Sequence, residues 1–275
     1  MIRDILVNLS QGQEKDATTQ YAVSLAAAFG AHLTGIAVAY EMDVPPFYMG
    51  ALPTDFIDAQ LVQNRTLADE TAARFSSLAT AAGITHDVRT MPATLGIAAD
   101  TFSRMARLYD LTIVPQPNPD APGPEAVIAE SVLTEAGRAV LIVPYVQTKP
   151  FAAERAVVAW DGGRPSARAL NESLSLLHRA KHVQVFRVTS EDDTDEDDQE
   201  VLRHLARHNL KAELRKLPAT SSVPIAASIL NEVSDQGADL LVMGGYGHSR
   251  LRQLVWGGVT SEILSSMTVP VFMAH

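Results

Sequence analysis

Apolar runs of four to nine residues alternate with longer stretches in which apolar residues recur every three or four positions, and this alternation runs the length of the chain. In the first half, the runs at 5–9, 32–40, 86–91, 111–114 and 139–143 read as strands, and the stretches at 15–29, 55–82, 98–108 and 124–136 as helices. Gly30 and Gly83 close the first two helices, and Thr54 stands where the second would be capped. Pro45, Pro46, Gly50 and Pro53 mark 41–53 as a surface loop. The same order then begins again, with strands at 155–161, 183–188, 213–217, 240–243 and 269–273 and helices at 165–180, 196–208, 223–236 and 250–267. Alternation of this kind predicts an α/β protein with parallel sheets covered on both faces. A period of half the chain means duplication of a whole unit, so the expectation is two tandem doubly wound domains, at 1–146 and 151–275. The linker, 145–154, is short, which requires the halves to pack closely.

The repeat has a register. Ile5-Leu6-Val7 lies under Ala156-Val157-Val158, and Leu111–Val114 under Leu240–Met243. The second of these strands breaks into Gly244-Gly245-Tyr246-Gly247, and Gly257 and Gly258 follow before Val259 and Thr260. Glycines at a strand end let amide groups approach a ligand with no Cβ in the way, and a following helix N-terminus favours an anion. The first half carries Pro115-Gln116-Pro117-Asn118-Pro119 at the same place. Prolines supply no N–H, so only the second half is expected to bind.

Composition narrows the chemistry. The chain of 275 residues is 47% hydrophobic and 20% charged, the balance of a soluble globular protein, and no apolar run approaches the roughly 18 residues of a membrane span. The first residues enter a strand without a signal-peptide pattern, so no membrane association and a cytoplasmic location are the expectation. With no cysteine, disulfides, thiolate catalysis and zinc–thiolate sites are excluded. The eight histidines read as scattered, with no metal site among them. A net charge of −10 argues against nucleic acid as a partner. The acidic run 191–198 reads as a solvated loop entering a helix N-terminus.

The glycine spacing is not that of the commoner phosphate sites. No Gly-Lys pair is present for a P-loop, and Arg250 stands where a dinucleotide fingerprint needs its third glycine. The pattern Gly244-x2-Gly247-x9-Gly257 instead resembles the nucleotide-binding signature of the universal stress protein family. That resemblance implies strand order 3-2-1-4-5 in each half and a ligand at the reversal between first and fourth strands. The ligand implied is ATP or a related adenine nucleotide, with magnesium as its accompanying ion. Ala159, Trp160 and Asp161 end the first strand beside this crevice. By the resemblance, Asp161 faces the adenosine, Val188 lines the base, and Met243 and Gly244 flank base and ribose. Gly247, Gly257, Gly258, Val259 and Thr260 form the phosphate loop, where the family normally has Ser or Thr in place of Gly258. His248 and Arg250 are candidates for the phosphate oxygens, Arg250 foremost because guanidinium suits phosphate geometry. Asp161 also suits the start of the following helix, and Trp160 suits core packing. Tyr246 is expected to be exposed and His275 uninvolved.

No nucleophile elbow occurs, and no second carboxylate is placed beside the loop, so no catalytic residue is assigned. The resemblance implies a stress-response protein that acts by binding, regulatory and not metabolic, its halves packed as an intramolecular pseudo-dimer open to further homodimerisation. Two other readings stand beside it: a nucleotide-free scaffold, suggested by Gly258, and a slow magnesium-dependent ATPase.

Overall fold

The apolar runs are strands because they are buried on both faces, a position only the middle of a helix-covered parallel sheet offers. A computed structural model describes residues 1–11, 16–43, 53–118, 123–189, 195–220, 222–246 and 258–275. In chain order the first half is β1 (Asp4–Asn8), α1 (Ala17–Phe29), β2 (His32–Tyr40), α2 (Thr54–Ala81), β3 (His86–Ala93), α3 (Leu95–Ala106), β4 (Leu111–Pro115), α4 (Pro124–Glu135) and β5 (Val140–Val143). The second is β6 (Arg155–Ala159), α5 (Arg164–Leu177), β7 (His182–Thr189), α6 (Asp195–Arg207), β8 (Ala212–Pro218), α7 (Ile225–Asp235), β9 (Leu240–Gly244), α8 (Gly258–Ser266) and β10 (Val271–Ala274).

The fold is two tandem doubly wound units whose sheets merge into one of ten strands, ordered β3-β2-β1-β4-β5-β10-β9-β6-β7-β8. Each half has the expected 3-2-1-4-5 order and is parallel throughout. The seam is antiparallel, with Phe272 opposite Leu141, and it seals an edge strand of each half. Two apolar layers result, one per sheet face, and each runs through both halves. One lies under α1, α2, α5 and α6, the other under α3, α4, α7 and α8.

Polar side chains fix the seam at its margins. Glu172 of α5 accepts from the Ala139 amide and from Arg168 Nε, both at 2.8 Å. Gln116, buried, donates from Nε2 to the Leu264 carbonyl at 2.7 Å and so ties the end of β4 to α8. In the linker, the Phe151 ring seats against Tyr21 and Phe29 with centroids 5.8 Å from each, and its amide donates to Ser24 Oγ at 2.7 Å.

Element ends differ from the sequence expectation in small ways with local causes. Asp16, not Lys15, starts α1: its carboxylate accepts from the Thr19 amide at 2.9 Å. Pro53 occupies the N-cap of α2, so Thr54 is the first helical residue and not the cap. β3 runs on to Ala93, paired along its length with β2, and α3 begins at Leu95. α7 begins at Ile225 behind Pro224, and β6 ends at Ala159. The helix expected over 250–267 is described from Gly258 onward; its earlier turns lie outside the described residues.

Candidate functional site

Because β6 and β9 are neighbours while their connections leave to opposite faces, a crevice opens at their carboxyl ends. A cavity of about 360 Å³ lies there. Its walls include Ala159, Trp160, Asp161, Val188, Met243, Gly244, Val259 and Thr260, so the structure brings these eight sequence-predicted residues to one place. Gly247, His248, Arg250 and Gly257 lie outside the described residues. Gly258 opens α8 and is exposed. Phe186, Ile225 and Ile229 add an apolar wall that sequence reasoning had not assigned to the site.

The glycine pair has a packing cause as well. A Cβ on Gly244 would sit 2.6 Å from Ser166 N and 2.8 Å from Pro165 Cβ, so the start of α5 can approach β9 only with glycine there. A Cβ on Gly245 would meet Met273 Sδ at 2.8 Å and Leu133 Cδ2, from α4 of the first half, at 3.2 Å. The Gly245 amide continues the ladder to Ala274 O at 2.8 Å. The next amide, Tyr246 N, donates to Thr260 Oγ1 at 3.2 Å, which fastens the loop to the first turn of α8.

Tyr246 is half-buried, not exposed as expected. Its φ of 57° lies in the left-handed region, where a non-glycine residue is uncommon, and its ring meets the His275 ring edge-on with centroids 5.8 Å apart. Burial, then the nearby Glu130 carboxylate, raises the phenol above its ordinary pKa. His275 is involved structurally: Nδ1 lies 3.3 Å from Gly245 O, and its own carbonyl accepts from Arg168 at 3.0 Å. Asp161 has the helix-start geometry, accepting from the Gly163 amide at 2.8 Å and from Ser166 Oγ, while remaining exposed toward the cavity. Trp160 packs against the α5–α6 apolar layer, and its Nε1 is buried without a hydrogen-bond partner among the described residues.

Asp198, the last member of the acidic run, is a correction to the solvated-loop reading. It is 1% exposed and accepts from Arg187 at 2.5 Å and Lys216 at 2.6 Å. Burial pushes its carboxyl up, but the hydrogen bonds from Lys216 and Arg187 outweigh that and hold it below the ordinary carboxylate range. The signal was present: Asp198 precedes Val201 and Leu205 at helical spacing, on the buried stripe of α6. His204 and His208 are likewise not scattered: His204 lies in the last turn of α6 and His208 directly after it, with ring centroids 4.7 Å apart. Among the described residues, no group of three or more His, Cys, Asp or Glu side chains is placed to hold a metal ion, and no helix is long and apolar enough to cross a membrane.

In the first half the corresponding crevice is built otherwise. Strand pairing sets Val38 where the second half has Val188, and the Val38 carbonyl accepts from the Gln11 side chain. Pro115, Gln116 and Pro117 replace the glycines, and the Gln116 amide donates to Val143 O at 2.8 Å, as Gly245 does to Ala274.

Fold and crevice together define a tandem doubly wound α/β protein with a ligand-sized cavity at the switch point of its second half. Residues 152–275 match the model of the universal stress protein family. A universal stress protein of Synechocystis is 43% identical over 44 residues, 16% of this chain and 15% of that relative. Among solved structures, a universal stress protein from Archaeoglobus fulgidus superposes with a TM-score of 0.75 at 14% identity, covering 98% of this chain and 97% of that one. A functionally unknown protein from Pseudomonas aeruginosa superposes with a TM-score of 0.60 at 16% identity, covering 98% and 92%. At such identities these structures speak for the fold of both halves.

Proposed function

We propose that the second half binds ATP or a related adenine nucleotide in the switch-point cavity, and that the protein acts in a stress response through occupancy of this site, not through metabolic turnover. The observation that carries this reading is the convergence of eight motif-assigned residues on one cavity of about 360 Å³, within the roughly 300–1,000 Å³ of small-molecule sites. Phe186, Val188, Ile225, Ile229 and Met243 provide apolar walls suited to a base, and Asp161 lies where a ribose hydroxyl would find an acceptor. The polar end of the cavity meets the first turn of α8, whose free amides and dipole favour phosphate. The motif assigns Gly247, Gly257 and Gly258 to the phosphates, with His248 and Arg250 beside them.

The residues suit binding better than turnover. Phosphoryl transfer needs a metal and a group that orients the nucleophile, and Asp161 is already engaged by Gly163 and Ser166. Any magnesium would arrive with the nucleotide. In this reading residues 1–146 and 151–275 are two domains of unequal duty, the first a partner without a site of its own. Gly247→Val, which adds a branched side chain at the motif's second glycine, eliminates ATP binding in calorimetry with the circular dichroism spectrum unchanged. Wild-type affinity in that variant would remove the loop assignment.

A further inference from the structure

A groove of about 720 Å³ lies at the opposite end of the second half, between the amino ends of β6, β7 and β8 and the last turns of α6 and α7. Its floor is apolar, with Val183, Leu202 and Leu210, and its rim is cationic, with Arg155, Lys181, Arg203 and Lys211 against one acid, Glu213. Lys181 pairs with Glu154 and Arg203 with Glu200, while Arg155 and Lys211 have no ion-pair partner among the described residues. In a protein of net charge −10, such a rim is against the average.

Cations gather at helix C-termini in any such fold, because the helix dipole favours them there. The first half is the internal control. It has the same strand starts and helix ends, and even the same clamp: Asp110 accepts from the Arg3 and Asp4 amides as Asp239 does from Glu154 and Arg155. Register places Asp4 opposite His32 where Arg155 is opposite His182, and sets Ala31 and Thr85 where Lys181 and Lys211 stand. Arg3 against Glu154, Arg107 against Gln236 and His86 against Ala212 are exchanges the other way, but Ala31, Ser77 and Thr85 leave the first half without the counterparts of Lys181, Arg203 and Lys211. The fold therefore does not require this rim to be basic, and the dipoles do not account for it.

We propose that this groove is a second binding site, separate from the switch-point cavity, for a small amphiphilic anion: an apolar or aromatic body that lies on Leu202 and Leu210, and a carboxylate, sulfonate or phosphate group held by Arg155 and Lys211. Anilinonaphthalene sulfonate has both features and serves as the probe in a fluorescence titration of the full chain. Wild type binds it saturably at one site per chain. Arg155→Glu combined with Lys211→Glu weakens binding at least about tenfold, and Ala206→Trp, which fills the groove from the exposed face of α6, does the same; both variants melt as wild type does. Excess ATP leaves the probe in place. Undiminished binding in both variants, multisite unsaturable binding, or displacement by ATP would overturn the second site.

Discussion

The two halves share a backbone plan and differ in what fills it. At the carboxyl ends of the strands, the second half leaves a cavity walled by Ala159, Val188, Met243 and Thr260. In the first half Gln11 bonds the Val38 carbonyl, and Gln116 spends its amide group on Leu264 and its carbonyl on the Tyr145 amide. Gln11 and Gln116 stand where the second half has Gly162 and Gly245, so the struts of one half have no side chain at all in the other. Duplication thus leaves one copy free to lose its site while keeping its seam, because the seam depends on β5, β10 and the residues beside them and not on the cavity.

A second contrast concerns how the outer helix is held on the sheet. α2 lies on β2 and β3 through Ala68, Ala72, Phe75 and Ala79, all buried and apolar. α6 lies on β7 and β8 partly through a buried ion cluster, Arg187–Asp198–Lys216. An apolar contact is indifferent to pH; a buried carboxylate between two cations is not. Phe75→Ala should lower stability by about 3–5 kcal/mol through a cavity, and Asp198→Ala by about 1.5–3 kcal/mol through loss of the charge-assisted contacts that Arg187 and Lys216 make to the carboxylate. Urea melts at neutral pH measure both, and a loss under about 1 kcal/mol at Asp198 would dissolve the contrast.

The pH dependence separates them further. The Asp198 carboxyl is held below its ordinary value in the folded state. Its contribution is therefore complete above the unfolded pKa, near roughly 4, and is lost as pH falls through the lower folded value. Melts repeated at descending pH should show the gap between wild type and Asp198→Asn closing below about pH 4, while the gap to Phe75→Ala stays constant. A gap to Asp198→Asn that widens in acid would mean the sign is wrong.

The smallest effect sharpens the contrast at the phosphate end. Among the described residues, a Cβ added at Gly258 meets no atom within 4 Å, which leaves room for a serine side chain there. Gly258→Ser adds one donor to a charged acceptor, about 1.5 kcal/mol, and tightens ATP by roughly tenfold in calorimetry. No change would place the phosphates elsewhere.

Much of this was legible in the sequence for physical reasons that can be named. Short doubly buried strands and a repeat register carry the topology, and Gly244 at the end of its strand marks the place where the start of α5 comes close, since backbone proximity must be written as glycine. Long-range pairing was not legible. Gln11 reaching Val38 and Gln116 reaching Leu264 depend on side chains meeting across the fold, which no local pattern encodes. Tyr246 was misread because a residue between glycines looks like a loop tip, whereas here His275 and Thr260 hold it down. The second purpose of Gly244, making room for Pro165 and Ser166, required the neighbouring helix to be in place.

Photolabelling with azido-ATP followed by peptide mapping tests the inequality of the halves most directly. Adducts confined to residues 152–275, at the strand ends around Val188 and Met243 and competed away by ATP, are the expected result. Adducts in residues 1–146, or labelling that ATP does not suppress, would contradict it.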